Sequence, residues 1–182
     1  MATSRRDFLT SFRKPLDKIK EEESLPLVVR PPYGLNESLF QNECLECDLK
    51  ECVASCDEKI IIINKEGSVQ LDFNKSGCTF CEECAIACNE NDENVLNLNN
   101  KHTSENLNAK FVISVDACVA HHGVICFSCK EPCIDDAILF NGMFSPIIDM
   151  DKCTACGFCL SRCPTLAINY KAIELNQIEE IS

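Results

Sequence analysis

The sequence lacks the residues and patterns of several common protein classes. It has no tryptophan, two tyrosines and six scattered glycines among 182 residues, and no glycine-rich motif of a nucleotide-binding loop occurs. No stretch approaches the roughly 18 apolar residues of a transmembrane helix. The formal charge of −12 argues against nucleic-acid binding, which requires basic side chains at the phosphates. No Ser-His-Asp triad or carboxylate pair stands out, so we expect neither an enzyme nor a membrane span.

Cysteine is what the chain has in abundance, with 16 residues. The hydrophobic fraction of 46% includes them, and without them too little apolar surface remains for one large core. The cysteines must therefore organise the interior, as disulfides or as metal ligands. The four groups are Cys44, Cys47, Cys52, Cys56; Cys78, Cys81, Cys84, Cys88; Cys118, Cys126, Cys129, Cys133; and Cys153, Cys156, Cys159, Cys163.

The spacing within the groups favours iron–sulfur clusters. Groups two and four read C-x2-C-x2-C-x3-C, and Pro164 follows the last group. In that pattern the first three cysteines share one cluster and the fourth ligates the neighbouring one. Zinc knuckles are usually two separate C-x2-C pairs, and disulfides need an oxidising compartment. The sequence therefore predicts four [4Fe-4S] clusters with four thiolate ligands each.

Two pairings of the groups remain open. Consecutive pairing gives the ligand sets Cys44, Cys47, Cys52, Cys88; Cys78, Cys81, Cys84, Cys56; Cys118, Cys126, Cys129, Cys163; and Cys153, Cys156, Cys159, Cys133. A nested pairing, group one with four and two with three, resembles the iron–sulfur subunits of molybdoenzyme reductases. The near-equal spacing between groups one and two and between groups three and four favours consecutive pairing.

The predicted fold is α+β, with two tandem ferredoxin-like two-cluster units. We expect a flexible N-terminal arm over residues 1–40, units over 41–105 and 106–175, and a tail over 176–182. Hairpins are expected at 60–63 with 69–73 and at 138–140 with 143–149. Strands are expected at 95–98, 111–115 and 166–170, and short helices after the third cysteine of each group.

The N-terminus carries a twin-arginine-like sequence, Ser4-Arg5-Arg6-Asp7-Phe8-Leu9. The following segment, residues 13–23, is dominated by charged side chains and cannot form the apolar region that export by this route requires. We therefore expect a cytoplasmic protein whose thiols stay reduced, with the arm used for docking.

Together these motifs resemble the NapF family, the ferredoxin-type accessory proteins of periplasmic nitrate reductase systems. The third group, with Gly123-Val124 two residues before Cys126, is similar to that family's C-L-T-x-x-G-V-x-C-R-x-C run. The four-residue gap between Cys47 and Cys52 departs from the usual two. The resemblance implies four [4Fe-4S] clusters on the sixteen cysteines. It also implies action on the cytoplasmic precursor of the nitrate reductase catalytic subunit before export.

Other functions remain as alternatives. The chain could be a polyferredoxin that carries electrons to a reductase and meets other redox proteins, or, more remotely, a zinc-stabilised scaffold. His121 and His122, in the long gap of group three, could be substitute ligands, but the thiolates already complete the four sets. We therefore interpret both histidines as solvated loop residues.

Overall fold

The computed structural model describes residues 27–34, 36–90, 95–100 and 107–175. The described elements are short, as expected of a chain whose interior is organised by cysteines. The helices are α1 (Glu37–Gln41), α2 (Glu43–Glu46), α3 (Glu51–Ser55), α4 (Glu83–Glu90), the 3₁₀ turn Val119–His122 and α5 (Phe158–Arg162). The strands are β1 (Ile61–Ile63), β2 (Val69–Leu71), β3 (Ala109–Ile113), β4 (Ile138–Asn141), β5 (Phe144–Ile148) and β6 (Ile168–Ala172).

Two antiparallel hairpins lie where the sequence predicts them. β1 pairs with β2 from Ile61↔Leu71 to Ile63↔Val69, and the turn contains Gly67 at φ +98°. β4 pairs with β5 across a turn with Gly142 at φ +66°, and a register shift follows Phe140. Glycine suits both turns because a positive φ carries no steric cost without a Cβ atom.

The opening and closing strands differ between the first half (residues 27–100) and the second half (residues 107–175). β3 and β6 pair over five residues, from Ala109↔Ala172 to Ile113↔Ile168. These strands are each shifted by two residues from their expected positions. In the first half, a single bridge between Gly34 and Leu96 takes the place of this ladder, so the expected strand at 95–98 does not form.

The two halves share one hydrophobic core. Phe73 of the first half packs edge-to-face on Phe111 and Tyr170 of the second, with ring centroids 5.6 and 5.3 Å apart. The Cys78 amide donates a hydrogen bond of 2.7 Å to the Cys156 carbonyl oxygen across the same boundary. The parts of the chain on either side of the expected boundary near residue 105 therefore do not have independent cores.

The folded region also begins earlier than the sequence predicts. Val29, Arg30, Tyr33 and Phe40 are all at most 3% exposed, although an arm over 1–40 was expected to be flexible. The short apolar segment after residue 26 pairs its backbone with Leu71, whose amide donates to the Val29 carbonyl. This segment belongs to the first half. Residues 1–26, which carry the predicted docking arm, and the whole predicted tail over 176–182 lie outside the described residues.

No helix among the described residues is long and apolar enough to cross a membrane.

Candidate metal centres

The structure groups the cysteines of the first half in the crossed pattern. Site one consists of Cys44, Cys47 and Cys52 of group one with Cys88 of group two, and the four line one cavity. Val69, Ala87, Val95 and Leu96 complete its apolar wall. The fourth cysteine of group two therefore faces the first three of group one, as consecutive pairing predicts.

Site two is the reciprocal set. Cys78, Cys81 and Cys84 line a second cavity together with Cys56, the last cysteine of group one. Ile60, Ile61 and Leu71 of the hairpin form its apolar side. α3 carries Cys52 and ends at Cys56, and α4 carries Cys84 and Cys88, so each helix supplies both sites. The four-residue step along a helix turns the fourth cysteine of each group away from the first three.

The second half repeats the arrangement. Cys153, Cys156 and Cys159 line a cavity with Cys133, which forms site four. Site three comprises Cys118, Cys126, Cys129 and Cys163: Cys126 and Cys163 pack against the small buried cluster that contains Cys118, and these three thiols add to the effect of burial in raising the pKa of Cys129. The described geometry thus brings all sixteen predicted residues into four sets of four, and none of the sets is nested.

A recurring turn follows the fourth cysteine of three groups. The residue three positions on donates its amide hydrogen to the cysteine carbonyl and has a positive φ: Lys59 at +55°, Asp136 at +50° and Leu166 at +52°. The amide groups of Ala137 and Ala167 then donate to Cys133 and Cys163 Sγ, with 3.2 Å between nitrogen and sulfur in each case. Such a left-handed conformation is unusual for residues other than glycine, so its repetition marks a built turn around the ligand.

Burial controls the chemistry of the thiols. It raises the pKa of Cys52 to about 12, with further contributions from Cys88, Cys44 and Cys47. It also raises the pKa of Cys78 to about 12 and that of Cys129 to about 11. A neutral buried thiol becomes a thiolate ligand when a metal supplies positive charge, because coordination deprotonates it outright.

These sites fit cuboidal iron–sulfur clusters better than single ions. In the described part of the chain, no three His, Cys, Asp or Glu side chains converge closely enough to hold one metal ion. The four thiols instead surround a cavity, and soft thiolates are the ligands that iron–sulfur clusters prefer. Amide hydrogens directed at Cys133 and Cys163 are the hydrogen bonds that such sulfurs accept.

The two histidines of the long gap are not part of a thiol set. They belong to the 3₁₀ turn, where His121 Nε2 lies 3.1 Å from the Pro146 carbonyl oxygen and His122 Nε2 lies 3.1 Å from that of Asp116. These contacts connect the segment between Cys118 and Cys126 to β5 and to Asp116, which comes just before that segment. His122 is therefore exposed, as the sequence predicted, whereas His121 is only partly exposed, and both rings contact backbone carbonyl oxygens.

Sequence reasoning missed two cations near site one. Arg30 is 2% exposed, donates to Glu37, Ser68 and the Val69 carbonyl, and lies 4.6 Å above the Phe40 ring. Lys50 lines the site-one cavity and donates to the carbonyl oxygens of Cys44 and Cys47 at 2.9 and 2.5 Å. The unusual four-residue gap between Cys47 and Cys52 could have drawn attention to Lys50. No feature of the sequence pointed to Arg30, because a buried arginine is not expected in a flexible arm.

Known proteins are similar to this chain in sequence. A model of the 4Fe-4S binding domain matches residues 146–169, which include all of group four. The ferredoxin-type protein NapF of Escherichia coli K12 is 33% identical over 144 residues, which cover 77% of this chain and 82% of that protein. NapF of Haemophilus influenzae is 28% identical over 178 residues, covering 95% of this chain and 96% of that protein. The methylamine utilization ferredoxin-type protein MauM of Methylorubrum extorquens is 26% identical over 154 residues, covering 74% and 67%.

Clustered buried thiols, ferredoxin-like hairpins and these relatives define an iron–sulfur protein of the ferredoxin type. Within that class, the chain belongs to the NapF family.

Proposed function

We propose that the chain holds four [4Fe-4S] clusters in two pairs, one pair in each half. The observation that carries the proposal is the crossed exchange of the fourth cysteines. Cys88 completes site one while Cys56 completes site two, and Cys163 and Cys133 do the same in the second half. This is the ligand pattern of two-cluster ferredoxins. The clusters would supply one-electron transfer.

The protein's own residues bind the clusters and limit their access to water. Cys44, Cys52, Cys84 and Cys159 are at most 9% exposed, whereas Cys81 is exposed. α3 and α4 carry ligands of both sites in the first half, so they hold the two clusters of a pair in fixed relation. The partial exposure at Cys81 gives site two an open side where a redox partner can approach.

We further propose that the chain is a cytoplasmic accessory protein. It would assist maturation of the catalytic subunit of periplasmic nitrate reductase before export, acting on the cytoplasmic precursor. Support comes from membership in the NapF family and from a whole-length match to NapF of Haemophilus influenzae. Sixteen free thiols suit a reducing compartment.

The alternative is a polyferredoxin that carries electrons to a reductase. MauM and NapG, the latter 24% identical over 157 residues in Escherichia coli K12, are also ferredoxin-type proteins by name. The architecture therefore recurs in proteins named for different processes, as expected of a general electron carrier.

One experiment separates the two roles. The catalytic subunit is purified from cells with and without this chain and assayed with an artificial electron donor. Because that donor bypasses any carrier, an accessory role predicts low activity without the chain, whereas a carrier role predicts full activity. Anaerobic copurification should also recover the chain with the signal-bearing precursor, but not with the exported subunit. Full artificial-donor activity without the chain would contradict the accessory role.

A further inference from the structure

The gap between Cys47 and Cys52 places a charged side chain at site one. Groups two and four have two residues between their second and third cysteines, whereas group one has four, Asp48-Leu49-Lys50-Glu51. The longer gap lets the chain turn back, and Lys50 occupies the left-handed region at φ 43° and ψ 45° just before α3. A lysine held in that region costs about 1–2 kcal/mol, so surrounding contacts must fix it.

Those contacts bring Lys50 against the backbone of two ligands. Its ammonium donates to the Cys44 and Cys47 carbonyl oxygens, and its amide hydrogen lies toward Cys47 Sγ, 3.4 Å from the nitrogen. The side chain is half-buried and lines the site-one cavity. Of the ion pairs in the described part of the chain, Arg30–Glu37 and Lys152–Asp149, neither involves Lys50. Its charge is therefore directed at the site.

The neighbouring carboxylates do not cancel this charge at the site. Asp48 and Glu51 are exposed, and although Glu51 also lines the cavity, water screens their charges more strongly than that of the half-buried ammonium. Arg30, the other nearby cation, is paired with Glu37 and contributes less net charge.

Site two has the opposite surroundings. Four carboxylates line its cavity, the partly buried Glu58 and the exposed Asp57, Glu82 and Glu83, and no lysine or arginine does so among the described residues. Reduction adds a negative charge, which a nearby cation stabilises and nearby carboxylates oppose. The two sites of the first half thus differ in charge although they share their helices.

We propose that Lys50 raises the reduction potential of the cluster at site one and so makes that site the electron-holding member of the first pair. The inference rests on the proposed four-cluster function. Reduction takes one electron from an external donor of low potential, dithionite in the test below; no bond breaks and no proton moves. Lys50 acts here as a tuning residue, through its charge rather than as a ligand.

The test is an anaerobic redox titration of the full chain with dithionite as the electron donor, followed by electron paramagnetic resonance. The site-one signal is identified as the one altered by Cys47→Ser. In Lys50→Met, the ratio of reduced to oxidised cluster at the original midpoint should fall about tenfold, equivalent to about 59 mV for one electron. Lys50→Gln keeps a hydrogen-bond donor without the charge and should shift as Met does, whereas Lys50→Arg should restore the original potential.

Lys130→Met is the matched control. Lys130 also lies beside a ligand, directly after Cys129, but its ammonium donates to the Ile138 carbonyl instead of to ligand carbonyls. Its replacement should leave the site-one potential unchanged. If Lys50→Gln has the same site-one reduction potential as the unmodified chain, the hydrogen bonds of Lys50 matter and its charge does not, which would overturn the inference. Loss of the site-one cluster in both neutral variants would also overturn it, by making Lys50 a structural element.

Iron and sulfide analysis of each sample distinguishes failure of the proposed four-cluster function from failure of the role proposed for Lys50. A chain that never contains four clusters contradicts the proposed function. A chain that contains four clusters with potentials indifferent to Lys50 contradicts only this inference.

Discussion

The two halves of the molecule each contain two sets of four thiols, but the strands that close each half are paired differently. The second half closes through the five-residue ladder of β3 and β6, whereas the first half closes through one bridge between Gly34 and Leu96. In place of a ladder, the first half has a buried arginine, Arg30, bonded to Glu37, Ser68 and Val69. The comparison teaches that the cysteine sets define the repeat, while the strands around them vary.

The Asn108 side chain connects the outer segments of the two halves by hydrogen bonds. Its side chain accepts a hydrogen bond from the Arg30 amide at 2.8 Å and donates to the carbonyl oxygens of Val28 and Ile173 at 2.9 and 2.8 Å. The opening segment of the first half is thereby tied to both outer strands of the second. The shorter closure of the first half is thus supported by the second half.

The largest effect should follow from removing a crossed ligand. Cys56→Ala should abolish the cluster of site two, although Cys56 belongs to group one, because Cys56 faces Cys78, Cys81 and Cys84. The iron content should fall by about a quarter, and the spectrum should resemble that of Cys78→Ala.

Cys133→Ala is the corresponding change in the second half and should abolish site four. If Cys56→Ala instead reproduces the spectrum of Cys44→Ala, the crossed assignment of the first half is wrong.

Adding a side-chain atom where the two halves pack together should cause the next largest effect, a loss of stability. Gly157 has φ +88°, and a Cβ there would lie 2.2 Å from Phe73 Cδ1, so Gly157→Ala adds both a clash and backbone strain. We expect a loss of about 2–5 kcal/mol in the free energy of unfolding, measured by anaerobic denaturant titration.

Gly123→Ala is the control for that variant. Gly123 has φ +82° but no atom within 4 Å of a Cβ, so only the strain remains, about 1–2 kcal/mol. Equal losses in the two variants would mean that Phe73 does not join the halves as described.

Removing the buried arginine should weaken the first half selectively. Arg30→Met leaves the Val69 carbonyl without its side-chain donor and Glu37 without its partner, whereas Ser68 Oγ keeps the hydrogen bond from Asn64. Because Glu37 is 41% exposed and water can solvate it, the loss should be about 1–3 kcal/mol, mainly from the unsatisfied carbonyl. Hydrogen exchange should rise in β1 and β2 more than in β3 and β6. Lys152→Met, which removes the exposed pair with Asp149, should cost less than about 1 kcal/mol. A uniform rise in exchange over both halves would contradict a local role for Arg30.

The smallest effect on the folded protein should come from the N-terminal arm. Deleting residues 1–20 removes the predicted docking segment and should leave cluster content unchanged, because none of the sixteen cysteines lies there. Association with the nitrate reductase catalytic subunit should weaken, and Arg5→Gln with Arg6→Gln should cause a smaller, salt-sensitive loss. Unchanged association would show that the arm does not dock.

The sequence was most informative where the ligand chemistry fixes the spacing. Cysteine spacing favoured, but did not fix, the pairing in which Cys56 and Cys88 are exchanged, because a turn after the third cysteine redirects the fourth. Hairpins were predictable because aliphatic runs flank turn residues. The absence of a strand at 95–98 was not, since Val95 and Leu96 have strand composition but line the site-one cavity. Burial of residues 29–33 depends on contacts with Asn108 and Leu71, which no local pattern reveals.

The most direct test of the central claim is the metal and sulfide content of the anaerobically purified chain. Four crossed sites predict about 16 iron and about 16 acid-labile sulfide per chain, with [4Fe-4S] spectra. Chelation should also unfold the protein, because ligand binding contributes to folding. Zinc with negligible sulfide, or about half this iron in the intact chain, would contradict the account.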